Sequence, residues 1–281
     1  MKSYESLVAP QSDYYMYAPS LHAKELFLYP LCIGHFIYEK GYSLSRESYD
    51  SFLLIYIEKG QLTLHYKETV HIAHAGDFIL LNCYQPHAYA TESGCEAMWC
   101  HFDGTAASAH CQSIEASLGP VFHLTDSYPI LQKLHALYQS FASGKLLQEA
   151  LMSKYLYDIL TQLHLTSSTK ALTTDKRVMS TDVIAYIQEY FAQDLTVELL
   201  ANRAGLSLYH FIRSFKQETG FTPHDYLIHT RLNTAKYLLK NTTLSVKDIC
   251  FHCGFSSESV FCNAFKRELE TTPSKYRNQD I

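Results

Sequence analysis

The stretch Phe211-Ile-Arg-Ser-Phe215-Lys216-Gln-Glu218 returns fifty positions later as Phe261-Cys-Asn-Ala-Phe265-Lys266-Arg-Glu268. Thr222-Pro223-His-Asp-Tyr226 returns at the same offset as Thr272-Pro273-Ser-Lys-Tyr276. Just upstream, LLANRAGLS (199–207) matches DICFHCGFS (248–256) with the register slipped by one residue, so the second turn is one residue longer. One supersecondary unit is therefore used twice.

Each copy has the marks of a helix-turn-helix. Thr196 caps a short helix ending near Arg203, Gly205 supplies the positive φ of a tight turn, and Ser207 caps the next helix. Phe211 and Phe215 lie on one face of that helix and pack inward. In the second copy Ser245 caps, with Asp248 placed for a capping-box contact. Gly254 turns the chain there, and Ser257 caps the following helix. Pro223 and Pro273 sit where a helix starts. Between the copies, DYLIHTRLNTAKYLLK (225–240) reads as one long helix that sets their separation. A plain helical bundle is the alternative, but it has no need to repeat turn, cap, Phe-xxx-Phe-Lys and Thr-Pro-xx-Tyr together.

Two recognition helices on one rod enter successive major grooves about 34 Å apart. The positions expected to face the bases are Tyr209, His210, Ile212 and Arg213 in the first, and Glu258, Ser259, Cys262 and Asn263 in the second. Ser207, Lys216, Ser257 and Lys266 complete the candidate DNA-binding set. Arg213 suits guanine, Asn263 adenine, and Glu258 cytosine, although a carboxylate also repels phosphate.

These residues resemble the signature of the AraC/XylS family of bacterial transcription regulators. The resemblance runs through Ala201, Gly205, Leu206, Ser207, Phe211, Phe215, Lys216, Gly220, Pro223, Tyr226, Arg231, Ala235 and Leu238. It continues through Ile249, Gly254, Phe255, Ser259, Phe261, Phe265, Lys266, Pro273, Tyr276 and Arg277. The family usually has Arg where this chain has Asn263, and Gly where it has Glu270. The resemblance implies double-stranded DNA and RNA polymerase as partners, no catalytic activity, and a ligand-sensing domain upstream. It also bears on Cys250-Phe-His252-Cys253, whose CxxC spacing alone would allow zinc. Both cysteines fall at positions that the family fills with small or aliphatic core residues, so no metal is expected.

Residues 25 to about 103 are a series of short apolar runs punctuated by Gly41, Gly60, Gly76 and Gly94, which reads as an antiparallel barrel or sandwich. HAGDFILLNCYQPHAY (74–89) resembles the second motif of a cupin barrel. The stretch that would carry the first motif, RESYDSFLLIYIEKG (46–60), has no histidine, so a three- or four-ligand metal site cannot be assembled. A cupin enzyme is thus disfavoured against a barrel that binds a small molecule without metal. Glu96-Ala-Met-Trp99-Cys-His-Phe102 resembles the strand that carries a sugar-stacking tryptophan in sugar-sensing members of the family, with Ala97 where those members have a pocket histidine. On that analogy Trp99, Tyr89, Arg46 and His87 are the candidate ligand residues and the effector is a sugar. Trp99 and Tyr89 read equally well as barrel core. Control by a partner protein is the further alternative.

Leucines and aromatics recur at three- and four-residue spacing over 128–165, giving two amphipathic helices. By resemblance these form a homodimer through Leu131, Leu134, Tyr138, Leu151, Tyr155 and Ile159; they serve equally to cover their own barrel. TSSTKALTTDKRVMS (166–180) reads as a linker. The expected architecture is α+β: a sensing and dimerisation domain over 1–165, that linker, and an all-α DNA-binding domain over 181–281.

The 281-residue chain is 47% apolar and 18% charged, a globular composition. Its net charge of −5 hides an asymmetry. Residues 1–175 hold 10 Lys/Arg against 17 Asp/Glu, and residues 176–281 hold 13 against 11. The absence of a long apolar run or of a signal-peptide core leads to the expectation of a cytoplasmic protein with its eight cysteines reduced. The 22 tyrosines and 15 histidines are unusual, and no motif accounts for them.

Overall fold

The computed structural model describes residues 5–144, 146–172 and 178–278. They fall into two compact units, Met1–Lys170 and Ala171–Ile281. No helix among the described residues is long and apolar enough to cross a membrane.

The first unit runs β1 (Asp13–Met16), α1 (Leu21–Leu26), β2 (Leu28–Tyr38), β3 (Ser43–Arg46), β4 (Phe52–Tyr66), β5 (Thr69–His74), β6 (Asp77–Asn82), β7 (His87–Ala90), β8 (Cys95–Gly104), α2 (Ala107–Leu118), β9 (Val121–His123), α3 (Tyr128–Ala142) and α4 (Glu149–Leu172). The antiparallel order is β1-β2-β8-β4-β6-β9, with β5 and β7 also on β4, and β3 on β7. The long strand β4 makes this possible. Its first residues pair with β6 and β8, and Thr63–Tyr66 pair with β5 and β7, so one strand belongs to both halves of the barrel.

Both faces of the central strands are buried, which is why they read as unbroken apolar runs. Leu53, Ile55, Ala97 and Trp99 face the barrel interior. Their neighbours Phe52, Leu54, Met98, Cys100 and Phe102 face a second core made with α2, α3 and α4. Ile130, Leu134, Leu137, Phe141, Leu156, Ile159 and Leu163 all enter that core. This corrects part of the predicted dimer surface. Leu134 and Ile159 are spent on their own chain, while Leu131, Tyr138 and Tyr155 are half-buried against the same core and Leu151 is exposed.

The first part of the stretch read as a linker is helical, because α4 continues to Leu172. The hydroxyls of Thr166 and Ser167 are absorbed locally. Thr166 Oγ1 donates to the Gln162 carbonyl at 3.0 Å and Ser167 Oγ to the His164 carbonyl at 2.8 Å. Residues 173–177 of that stretch lie outside the described residues.

The second unit is all helix: α5 (Val178–Tyr190), α6 (Val197–Arg203), α7 (Leu208–Thr219), α8 (Pro223–Asn241), α9 (Val246–His252), α10 (Glu258–Leu269) and α11 (Pro273–Asn278). Its repeat is visible as two cores. Leu200, Ala201, Phe211 and Phe215 pack with Val183 and Ile187 in one. Ile249, Cys250, Cys253, Phe261 and Phe265 fill the other. The rod α8 serves both, through Leu227 in the first and Leu232, Ala235 and Leu239 in the second.

The expected caps are present with one exception. Thr196 Oγ1 accepts from Leu199 N at 3.1 Å, and Ser245 Oγ accepts from Asp248 N at 3.0 Å while donating to its carboxylate at 2.6 Å. Ser257 Oγ accepts from Val260 N at 3.4 Å. Ser207 occupies the cap position, but its side chain makes no capping bond. Two arginines of the family pattern act as clamps. Arg231 donates to the carbonyls of Phe191 and Gln193, and Arg277 to those of Leu239 and Leu244.

Helix α7 ends on Gly220 and α10 on Glu270, both left-handed, with φ of 80° and 54°. A side chain in that region costs about 1–2 kcal/mol. Glycine's greater freedom when unfolded returns about 0.5–1 kcal/mol of this. Glu270→Gly should therefore stabilise the second unit by up to about 1 kcal/mol, read as a higher urea midpoint with an unchanged slope.

Candidate functional site

On α7, Tyr209, His210, Arg213 and Lys216 are exposed, while Ile212 is half-buried. On α10, Glu258, Ser259, Asn263 and Lys266 are exposed, and Cys262 is half-buried against the second core. The two helices thus present the expected polar faces, but Ile212 and Cys262 sit at the margin of each face rather than on it. Val260, the counterpart of His210 in the repeat, is exposed on α10 and was missed. Its apolar side chain gave no reason to look. Arg213 makes no hydrogen bond or ion pair among the described residues, so its five donors are available to a partner. Cys250 and Cys253 are fully buried among phenylalanines, and burial pushes both thiols up, Cys253 to about 11. The ring of His252 points elsewhere, to the Asp248 carbonyl at 3.1 Å.

The barrel holds a half-open cavity of about 340 Å³. Three of the four predicted ligand residues line it: Arg46 from β3, Tyr89 from β7 and Trp99 from β8. Trp99 and Tyr89 are also barrel core, since each is more than nine-tenths buried. Trp99 packs against Gly34, its partner across the β2–β8 ladder, where a Cβ would come within 2.5 Å of the ring. Phe36 meets the indole edge-on with ring centres 5.0 Å apart. The indole Nε1 is buried without a hydrogen-bond partner. His87 is the exception. It is buried at the base of a neighbouring cleft of about 540 Å³ that Arg46 also borders, with Nδ1 near the Gln85 carbonyl at 2.9 Å. His87 and Tyr89 are two residues apart on β7 and share a face, but His87 stands at the start of the strand, where it lines the neighbouring cleft and only Tyr89 reaches the cavity.

Sequence reasoning missed His101, Tyr38, Tyr42 and Tyr49, which also line the cavity. His101 was within reach, being two residues from Trp99 and so on the same face of β8. Its Nδ1 lies 2.8 Å from Ser51 Oγ, and its ring is 4.8 Å from that of Tyr49. Burial, with repulsion from Arg46 and His87 behind it, pushes its pKa down to about 3. The cavity imidazole is therefore neutral at physiological pH. In the unfolded chain it would take a proton near 6.5, and the folded protein refuses it until about 3. This contribution to stability is complete above 6.5 and is lost as pH falls through that window, at about 1.4 kcal/mol per pH unit. His101→Asn should flatten the decline in the barrel's melting temperature between about pH 7 and 5. His87, also shifted down by burial, leaves a residual slope.

Outside the barrel, His35, Glu58 and Glu96 bring three potential metal-ligand atoms within 4.8 Å of one another. Lys59 already neutralises Glu96 at 2.7 Å, and the cluster reads as a polar tie between β2, β4 and β8.

Two domain signatures match the chain: an AraC-like ligand binding domain over residues 30–160 and a helix-turn-helix domain over residues 200–279. The MmsAB operon regulatory protein of Pseudomonas aeruginosa is 27% identical over 267 residues, spanning 92% of this chain and 86% of that protein. The HTH-type transcriptional activator RhaS of Escherichia coli O157:H7 is 38% identical over 95 residues, 34% of either protein. Among solved structures, the DNA-binding domain of AdpA in complex with a target DNA is 35% identical, covering 35% of this chain and 88% of that one, with a TM-score of 0.34. A ligand-binding barrel followed by a twice-used helix-turn-helix makes this chain a DNA-binding transcription regulator of the AraC/XylS family.

Proposed function

We propose that the protein is a transcription activator controlled by a small molecule, a sugar, held in the barrel cavity. The observation that carries the DNA half is the pair of exposed polar faces on α7 and α10, mounted on the single rod α8. Arg213 and Asn263 are the base readers on this reading, with Tyr209, His210, Ser259 and Glu258 beside them and Lys216 and Lys266 toward phosphate. Ser207, Ile212, Ser257 and Cys262 frame the two faces. The sensing half rests on the aromatic cavity at Trp99, Tyr89 and Arg46. RhaS, named an activator, supports the sign of regulation.

The regulator acts as a homodimer in the cytoplasm. The half-buried and exposed residues of α3 and α4, Leu131, Tyr138, Leu151 and Tyr155, remain to form the interface, and bound protein recruits RNA polymerase. Effector binding changes DNA affinity only if the ligand binds the two states of the protein unequally. The direct test is binding of the purified protein to the DNA upstream of its own gene, at low and high salt, with and without sugars. Binding should prefer that DNA over random sequence and weaken steeply with salt. No preference at low salt would sink the reading. Sugars that leave both DNA affinity and melting temperature unchanged would sink its sensing half.

A further inference from the structure

Resting on the cavity as the effector site, we propose that the effector carries a carboxylate, seated on Arg46, with its hydroxylated skeleton against Trp99. The ligand class is a sugar acid rather than a neutral sugar.

The argument starts with the hydrogen-bonding character of the wall. Arg46 ends β3 at the cavity, and among the described residues it forms no ion pair and no hydrogen bond. The contact it does make is with the face of Tyr49, whose ring centre lies 4.8 Å from Cζ. A guanidinium offers five donors in a planar fork that matches a carboxylate, and it accepts nothing. Trp99 adds a second pure donor, its Nε1, buried and unpartnered. A sugar hydroxyl both donates and accepts, so a neutral sugar can meet these donors but leaves the charge of the guanidinium unmatched. Glu5 is the carboxylate at this cavity, and it already accepts from Tyr42 Oη at 2.9 Å. The tyrosine hydroxyls of the wall both donate and accept, so the group that discriminates is the fork of Arg46, which a carboxylate matches in shape and charge.

The charge of Arg46 also reaches through the cavity. It opposes protonation of His101 and favours ionisation of Cys32, Tyr42, Tyr49 and Tyr89. Glu5 acts in the opposite sense at Tyr42 and Tyr89, and His101 is neutral, so Arg46 can match no more than a single negative charge. A phosphate dianion would leave charge uncompensated. The volume of about 340 Å³ is at the small end for ligand pockets and suits a monosaccharide-sized molecule.

The chain contains one tryptophan, and it lines this cavity, so intrinsic emission of the full-length protein reports occupancy there. The experiment titrates that emission with matched pairs at fixed ionic strength: D-glucuronate against D-glucose, D-galacturonate against D-galactose, and D-gluconate against sorbitol. At least one acid should give a saturable change, with its neutral partner about tenfold weaker or more. Arg46→Gln should weaken the acid by about tenfold or more, and Arg46→Lys, which keeps the charge without the fork, by less. Unliganded melting curves of both variants establish that they fold. Equal binding of acid and neutral partner, or acid binding indifferent to Arg46→Gln, overturns the carboxylate and leaves the cavity reading intact. Saturable binding by no member of any pair overturns both. The DNA assay is independent of either result.

Discussion

Gly254→Ala is expected to cost the second unit about 2–4 kcal/mol. Gly254 makes the turn between α9 and α10 with φ at 77°, a region where alanine is strained by about 1–2 kcal/mol. The larger part comes from crowding. An added Cβ would stand 2.6 Å from the carbonyl oxygen of Ala192 and 2.8 Å from its carbon, and backbone cannot swing aside as a side chain would. The turn of the second repeat is therefore pressed against the chain just after α5, in the first. The expected result is a lower urea midpoint for the helical unit and weakened DNA binding at 37 °C, with the barrel's own transition unmoved. A variant as stable as the parent would show that the two repeats do not meet at this point.

Arg213→Ala is the second large effect, and it should touch binding alone. The side chain is exposed and without protein partners among the described residues, so stability should stay within about 0.5 kcal/mol. If Arg213 reads a guanine, affinity for the preferred sequence falls by about 1–3 kcal/mol and discrimination relaxes at one base pair. If it meets phosphate instead, affinity falls evenly over all sequences and the salt dependence loses about one unit of slope. An unchanged affinity would remove α7 from the DNA-reading surface as proposed.

The helical half was legible in the sequence because its turns, caps and buried aromatics are local and each occurs twice. Glycine at 205 and 254, proline at 223 and 273, and the Phe-xxx-Phe pairs announce themselves without tertiary context. The barrel was legible as strands but not as a site. The tyrosines at the cavity, 14, 38, 42, 49 and 89, come from separate strands and loops, and only the sheet order brings them together. That convergence accounts for some of the unusual tyrosine content. Helix α2 went unseen because it buries only Ala107, Cys111 and Ile114, too narrow a stripe for periodicity to register. Strands β1 and β9 are short and borrow their stability from neighbours. The stripes on α3 and α4 were plain, yet a stripe does not say what covers it. Leu134 and Ile159 turned out to face the barrel.

The rod α8 has a consequence for how chain length relates to DNA. It hands over from one core at Leu227 to the other at Leu232 within little more than a turn of helix. One residue inserted between them would rotate the second half of the domain by about 100° and advance it by about 1.5 Å. On the proposed reading, α7 and α10 would then point to different sides of the duplex. The phase between the grooves they face is thus an integer, counted in residues along one helix. Point substitutions can retune what each head reads, while the spacing of the DNA site stays locked to that count.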